Sequence, residues 1–308
     1  MIIIGAGVAG PALALLLKKL NISSVLYEIR STPGTLGGAL NITSSGLAIL
    51  DKIGVYEHLK QNCAETLDAE IFNKDGKRIG VSTYGHYLKQ KYGYGTLRVM
   101  RTILHTKLLE RLKEEGIEVK YGMRLTKIEE LENGVKVSFL DGTEDEGNML
   151  VGSDGIHSAV RQLHVDSSIQ PEYSGLSTLY AILPTKDLES PIYFSNSFNM
   201  ITFTRGAFGM VYVNPDHSSA YWYNSHEMPP TDRDGWVAHG EDAKAIKQEI
   251  LERVSPITVP LVKEAIEKAP EIRFFPIYSI PLHGKWYTQK VVLIGDAAHG
   301  NYHISDDC

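Results

Sequence analysis

Gly5-x-Gly7-x-x-Gly10 follows the β-branched run Ile2-Ile3-Ile4 directly and precedes a stretch, Ala12 to Leu20, that reads as a helix. In that context a glycine-rich turn binds the diphosphate of a dinucleotide. Gly5 permits the tight turn, Gly7 lets the phosphates approach the backbone, and Gly10 allows the helix to pack closely on the strand. The phosphates would rest at the helix N-terminus, where unpaired N–H groups and the helix dipole favour anions. Glu28 closes the next apolar run, Ser24-Val25-Leu26-Tyr27, where a carboxylate can accept hydrogen bonds from an adenosine ribose. Glu28 disfavours a ribose 2′-phosphate by charge repulsion, whereas Arg30 nearby would accommodate one. The fingerprint alone does not choose between NAD and FAD.

Three further groups of residues could do chemistry or bind. Arg101 opens an amphipathic stretch, Gly152-Ser153-Asp154-Gly155 follows Met149-Leu150-Val151, and Gly295-Asp296 follows Val291-Val292-Leu293-Ile294. Alone, each has a plainer reading. Arg101 would balance nearby acids, Asp154-Gly155 would be a turn, Arg161 a solvated charge, and Asp296 a helix cap. His299-x-x-x-His303 with Asp306, Asp307 and Cys308 has the composition of a metal site, but reads as a solvated tail. Cys63 reads as a buried small hydrophobe. No metal is expected.

These groups need elements to hold them. Strand Ile2–Ile4, the helix after it and strand Ser24–Tyr27 make a βαβ opening, hence a parallel sheet with a right-handed crossover. Short β-branched runs at 149–151 and 291–294 read as further buried strands of the same kind. Helices are expected over 44–53, 102–115, 241–254 and 259–268, and strands over 119–121 and 135–139. Residues 69–81 read as a hairpin turning at Asp75-Gly76. Eleven of the 53 residues from 171 to 223 are aromatic, against 9% for the whole chain, and break into short strands. The expected architecture is therefore α/β: a Rossmann-like dinucleotide domain from 1–68, 94–165 and 285–308, with a mostly antiparallel sheet, 69–93 and 166–284, inserted as a substrate domain. Tyr180, Phe203, Tyr212 and Trp222 are expected to pack in that sheet rather than to touch substrate.

Composition narrows the classes. The 308 residues are 43% hydrophobic and carry 37 acids against 31 bases, a net charge of −6. That excludes a dedicated nucleic-acid surface as the main feature. Cys63 and Cys308 are the only cysteines, so no disulfide framework is encoded. No apolar run approaches the roughly 20 residues of a membrane span. No basic segment precedes the first strand, so a signal peptide is not expected and a cytoplasmic location is.

With the order and spacing of the motifs in hand, the chain resembles the FAD-dependent aromatic-type monooxygenases, the family of p-hydroxybenzoate and salicylate hydroxylases. Arg101-x-x-Leu104 matches the arginine that reaches the flavin cofactor in that family. Gly152 to Arg161 matches its Asp-Gly motif, which the resemblance associates with FAD and NAD(P)H through Asp154, Gly155 and Arg161. Gly295-Asp296-Ala297-Ala298-His299 matches its Gly-Asp motif, whose aspartate contacts the ribityl or ribose part of FAD. Gly37-Gly38-Ala39-Leu40-Asn41-Ile42-Thr43 looks like the loop beside the isoalloxazine ring in fungal-type members, which assigns Gly38 and Ala39 to the cofactor.

The resemblance implies that NADH or NADPH reduces bound FAD and that O2 adds to form a flavin C4a-hydroperoxide. One oxygen atom then enters a small aromatic or apolar substrate, beneath a roof formed by the aromatic-rich sheet. Family members continue past the Gly-Asp motif with a proline, a Gly-x-Gly turn and a long helix; Gly300 to Cys308 matches none of these. That departure keeps a second expectation, a shortened and catalytically impaired remnant with weak nucleotide binding. A third, an NAD(P)-dependent dehydrogenase, would leave the Asp154 and Asp296 motifs unexplained. A flavin halogenase would need a Trp-x-Trp-x-Ile-Pro signature, which this sequence lacks.

Overall fold

The computed structural model describes residues 1–34, 37–190, 197–203, 206–281 and 283–300, with the backbone alone at 197 and 198. Five short strands form a parallel sheet in the order Val291–Leu293, Leu150–Gly152, Ile2–Ile4, Val25–Glu28 and Glu118–Tyr121. Ile2, Ile3 and Ile4 pair with Leu150, Val151 and Gly152 on one side and with Val25, Leu26 and Tyr27 on the other. Both faces of this sheet are covered, which is why its central strands read as unbroken apolar runs. Ile3, Leu26 and Val151 point to one face and meet Leu15 of helix Ala9–Lys19 and Leu104, Leu108 and Leu112 of helix Arg101–Glu114. Ile2, Ile4, Leu150 and Leu293 point to the other and meet Val135, Val137 and Phe139. Those last three belong to an antiparallel meander of Leu125–Leu131, Gly134–Phe139 and Glu144–Gly147.

The second large element is a seven-stranded sheet. Its order is Arg273–Ser279, Glu172–Pro184, Ser219–Glu227, Gly206–Tyr212, Ser197–Phe203, Asp68–Phe72 and Arg78–Ser82. Every pairing is antiparallel except that of Asp68–Phe72 with Ser197–Phe203. The hairpin that the Asp75-Gly76 turn predicts thus extends this sheet, paired in parallel as Asp68 with Ser197 through Phe72 with Ile201, and Gly76 takes the left-handed conformation such a turn requires (φ +77°). Helices Arg233–Glu241, Ala243–Arg253 and Pro260–Glu267 cover one face of the sheet. The fold is therefore α/β, a parallel sheet joined to a mostly antiparallel one.

Between the two sheets runs a small three-stranded sheet of Ala39–Ile42, Leu97–Met100 and Ala64–Glu65. It places Ala39 against Tyr180, Val211, Val213, Tyr221 and Tyr223 of the large sheet's other face. No described helix is long and apolar enough to cross a membrane.

Candidate cofactor and substrate site

Because the five strands are parallel, their carboxyl ends fall along one edge, where ligands of open α/β sheets bind. That edge carries Gly5 after Ile4, Glu28 at the end of its strand, Ser153-Asp154 after Gly152 and Gly295-Asp296 after Leu293. Backbone bonds stitch the ends together: Gly5 N–H donates to Tyr27 O (2.8 Å), Ser153 N–H to Ile4 O (2.7 Å) and Ile294 N–H to Gly152 O (2.9 Å).

The three fingerprint glycines differ in what surrounds them. Gly5 has φ +101°, and a Cβ there would sit 2.5 Å from the Ser153 carbonyl oxygen. A Cβ on Gly10 would fall 2.2 Å from Gly5 O, the cost of the helix lying so close on the strand. A Cβ on Gly7 would meet nothing within 4 Å among the described residues, so the absent side chain leaves open space on that side. Helix Ala9–Lys19 has no side-chain cap and no acid in its first turn, so its N-terminal N–H groups face that space uncapped.

Glu28 accepts from the Ala6 N–H (2.9 Å) through Oε2 and from the Arg30 N–H (3.0 Å) through Oε1. Beyond these lies a cleft of about 160 Å³, lined by Ala6, Gly7, Glu28, Arg30, Arg101, His105 and Phe275 among others. The guanidinium groups of Arg30 and Arg101 have no hydrogen-bond or ion-pair partner among the described residues, so Arg101 does not balance a local acid. Two cations, an open glycine and an uncapped helix terminus fit a diphosphate, and Glu28 at the rim fits a ribose. Tyr121, on the strand beside Glu28, is pushed up by burial and then by the Glu28 charge, so its phenol stays neutral.

The Gly38-Ala39 loop lies next to this cleft. Gly38 O accepts from the Arg101 N–H (3.0 Å), and a Cβ on Gly38 would be 3.1 Å from the Tyr221 hydroxyl. Ala39 is buried among the tyrosines of the large sheet. The segment expected beside an isoalloxazine ring is thus held between the start of the Arg101 helix and the tyrosine-lined face.

The Asp154 and Asp296 motifs are brought together one strand over. Asp154 accepts from Ser158 Oγ (2.6 Å) and from the N–H groups of Ala159 (2.7 Å) and Val160 (3.1 Å), so its carboxylate caps the next turn. Burial raises the Asp154 pKa, and those same hydrogen bonds oppose the rise. Gly155 beside it is left-handed (φ +78°). Arg161 is 1% exposed, not a solvated charge. Its guanidinium donates to the carbonyls of Ala297 (2.6 Å), Ile169 (3.3 Å) and Ile156, and so ties the Asp-Gly segment to the Gly-Asp segment instead of lining the cleft. Gly295 packs on Ala9 of the fingerprint helix, and Asp296 starts the short helix Asp296–His299 with its side chain exposed. The His303, Asp306, Asp307 and Cys308 positions lie outside the described residues.

Two lining residues escape a motif reading. His105 stands one helical turn after Arg101, and that i, i+4 spacing was the available signal. Phe275 comes from a strand, Arg273–Ser279, whose Pro276 hides its pattern. The aromatic residues singled out from sequence divide. Trp222 and Tyr212 pack into the helix-covered core with Phe203 against it, and Tyr180 lies on the face toward Ala39. Cys63 is buried, which pushes its thiol up to about 12.

Residues 1–302 match the FAD binding domain family. The chain is 28% identical over 303 residues to 3-amino-4-hydroxybenzoate 2-monooxygenase PtmB3 of Streptomyces platensis, covering 96% of this chain and 72% of that one. It is 25% identical over 307 residues to 6-hydroxynicotinate 3-monooxygenase of Pseudomonas fluorescens, covering 96% and 75%. Among solved structures, Klebsiella pneumoniae HpxO complexed with FAD and uric acid shares the fold, with a TM-score of 0.84 at 20% identity over 97% of this chain and 73% of that one. The chain belongs to the FAD binding domain family, as an oxidoreductase of the flavin-dependent monooxygenase kind.

Proposed function

We propose that this protein uses NAD(P)H and O2 to hydroxylate a small, electron-rich aromatic substrate, releasing NAD(P)+ and water. The observation that carries this reading is the contact of the Gly38-Ala39 loop with the tyrosine-lined face, because it sets a cofactor cleft and an apolar aromatic surface side by side. The monooxygenases of S. platensis and P. fluorescens named above act on hydroxylated aromatic or heteroaromatic acids, which supports a substrate of that kind. Bound FAD would supply the electron transfer from NAD(P)H and the activation of O2.

The chain's own residues then have separable tasks. Gly7 and the first turn of helix Ala9–Lys19 receive the diphosphate, and Arg30 and Arg101 neutralise it. Glu28 accepts ribose hydroxyls while already orienting the loop through Ala6. Asp154 and Arg161 act by holding the neighbouring strand ends in register, and Asp296 presents its carboxylate at the same edge. Tyr180, Tyr221, Tyr223, Val211 and Val213 exclude water and seat an aromatic ring.

A visible absorption spectrum of the purified chain, with and without added FAD, tests the cofactor part; a correctly folded, colourless protein that cannot be reconstituted with FAD sinks it. Gly7→Val should leave thermal stability within about 0.5 kcal/mol, since its side chain enters open space, yet weaken FAD binding more than tenfold. Substrate-dependent O2 uptake coupled to NAD(P)H oxidation tests the reaction and separates it from a dehydrogenase, which would oxidise or reduce the nicotinamide without consuming O2.

A further inference from the structure

The two peptides that flank the Ala6 Cα, Gly5–Ala6 and Ala6–Gly7, are each held by one side chain. The Ala6 N–H donates to Glu28, and the Ala6 carbonyl oxygen lies 2.7 Å from Nε2 of His105. That carbonyl lies outside the helix, whose first backbone acceptor is Val8. A carbonyl has no proton to give, so Nε2 of His105 carries the hydrogen and donates it. His105 lines the same cleft as Ala6, Gly7 and Arg101.

A trans peptide is planar, and its C=O and N–H point in opposite directions. Holding the Ala6 oxygen therefore fixes the direction of the Gly7 N–H. Glycine is the residue whose backbone turns most freely, and no described atom lies within 4 Å of where a Gly7 Cβ would stand. We propose that His105 is a cofactor-positioning residue, which locks the Ala6–Gly7 peptide plane so that the diphosphate loop is in its binding shape before FAD arrives. The gain is preorganisation: the cost of ordering the loop is met in folding and not at binding. The proposal rests on the FAD reading above.

The test is FAD titration by flavin fluorescence, with thermal unfolding of the FAD-free chain measured alongside, for wild type, His105→Leu and His105→Gln. The glutamine amide keeps an N–H donor at similar reach; leucine does not. His105→Leu is expected to weaken FAD binding about tenfold, and His105→Gln to stay within about threefold of wild type, with FAD-free melting temperatures alike in all three. Wild-type affinity in His105→Leu overturns the inference, and so does equal weakening in both variants. A wild-type chain that never binds FAD overturns the cofactor reading and this inference with it, so the two failures are told apart.

Discussion

The two faces of the seven-stranded sheet are built from alternating residues of the same strands and could hardly differ more. In Ser219–Glu227, Ala220 and Trp222 point toward the helices, and Tyr221 and Tyr223 point toward Ala39. In Glu172–Pro184, Leu179, Ala181 and Leu183 take the helix side and Tyr180 and Ile182 the other. The helix-covered face is closed by Ile246, Ile250, Leu261, Val262, Ala265 and Ile266. Trp222 there is fully buried, stacks on Phe208 at 5.5 Å and spends its indole N–H on Ala265 O (3.2 Å). On the opposite face Tyr180 is 5% exposed, stacks on Phe275, and its hydroxyl has no hydrogen-bond partner among the described residues. A strand cannot tell its two sides apart except by period, so the same strands build an aliphatic, helix-covered core on one face and a tyrosine-rich surface toward Ala39 on the other.

Substitutions across the two faces can break or sharpen this contrast. The largest effect belongs to Trp222→Ala, which removes the centre of the helix-covered core; urea unfolding should show a loss of about 3–5 kcal/mol. Tyr221→Ala, its neighbour on the other face, should cost clearly less, and equal costs would erase the distinction.

Next comes His226, which extends the helix-covered face. Its Nε2 is 2.8 Å from Ser177 Oγ and 3.6 Å from Glu249 Oε1, with His239 and Arg253 on the same Glu249 carboxylate. Burial, then the Arg253 charge, holds its pKa down to about 4. A histidine depressed in the fold binds its proton more readily when unfolded. Its contribution to stability is therefore whole above its unfolded pKa of roughly 6.5 and is lost as pH falls toward 4. That loss is on the order of 3 kcal/mol, read from urea midpoints across the range, and His226→Asn should flatten it.

The smallest effect is at Tyr180. Removing an unpaired buried hydroxyl should stabilise the FAD-free protein by about 1 kcal/mol in Tyr180→Phe, while raising the substrate KM. A destabilised variant with unchanged KM would place that hydroxyl in the scaffold instead of the site.

The motif-bearing strand ends were legible in the amino-acid sequence because parallel strands are short, apolar on both faces and end in residues with special backbone needs, as at Gly5 and Gly295. The inserted sheet was legible as aromatic-rich strands, but not in extent. Residues 171–223 read as short strands, whereas one strand runs the whole of Glu172–Pro184, since polar residues toward its start are paired with Arg273–Ser279. Helix Arg233–Glu241 was missed: Gly235 and Gly240 weaken its propensity, and the cap that fixes its start, Asp232 accepting from the Gly235 N–H at 2.8 Å, is a single residue. At the candidate site, residue type was enough to single out Gly7 and Glu28, because what they offer is set by local backbone. It could not reveal that Arg161 turns inward to backbone carbonyls or that His105 meets Ala6 across 99 residues, since both depend on packing between distant elements.

The strand order of the parallel sheet also sets a timetable. Ile2–Ile4 is made about 150 residues before its partner Leu150–Gly152, and Val291–Leu293 comes later still. At roughly 5–20 residues per second, about 15 to 60 s separate the synthesis of Gly5 from that of Asp296. For about the first half of that interval the glycine-rich turn exists without the Gly152-Ser153 strand end that packs against it, and apolar strand edges stand unpaired. The strand-end edge that carries Gly5, Glu28, Asp154 and Asp296 is therefore complete only once Val291–Leu293 and the turn after it have been made. A ligand bound at that edge would draw these late-meeting strand ends together and stabilise the folded chain by mass action.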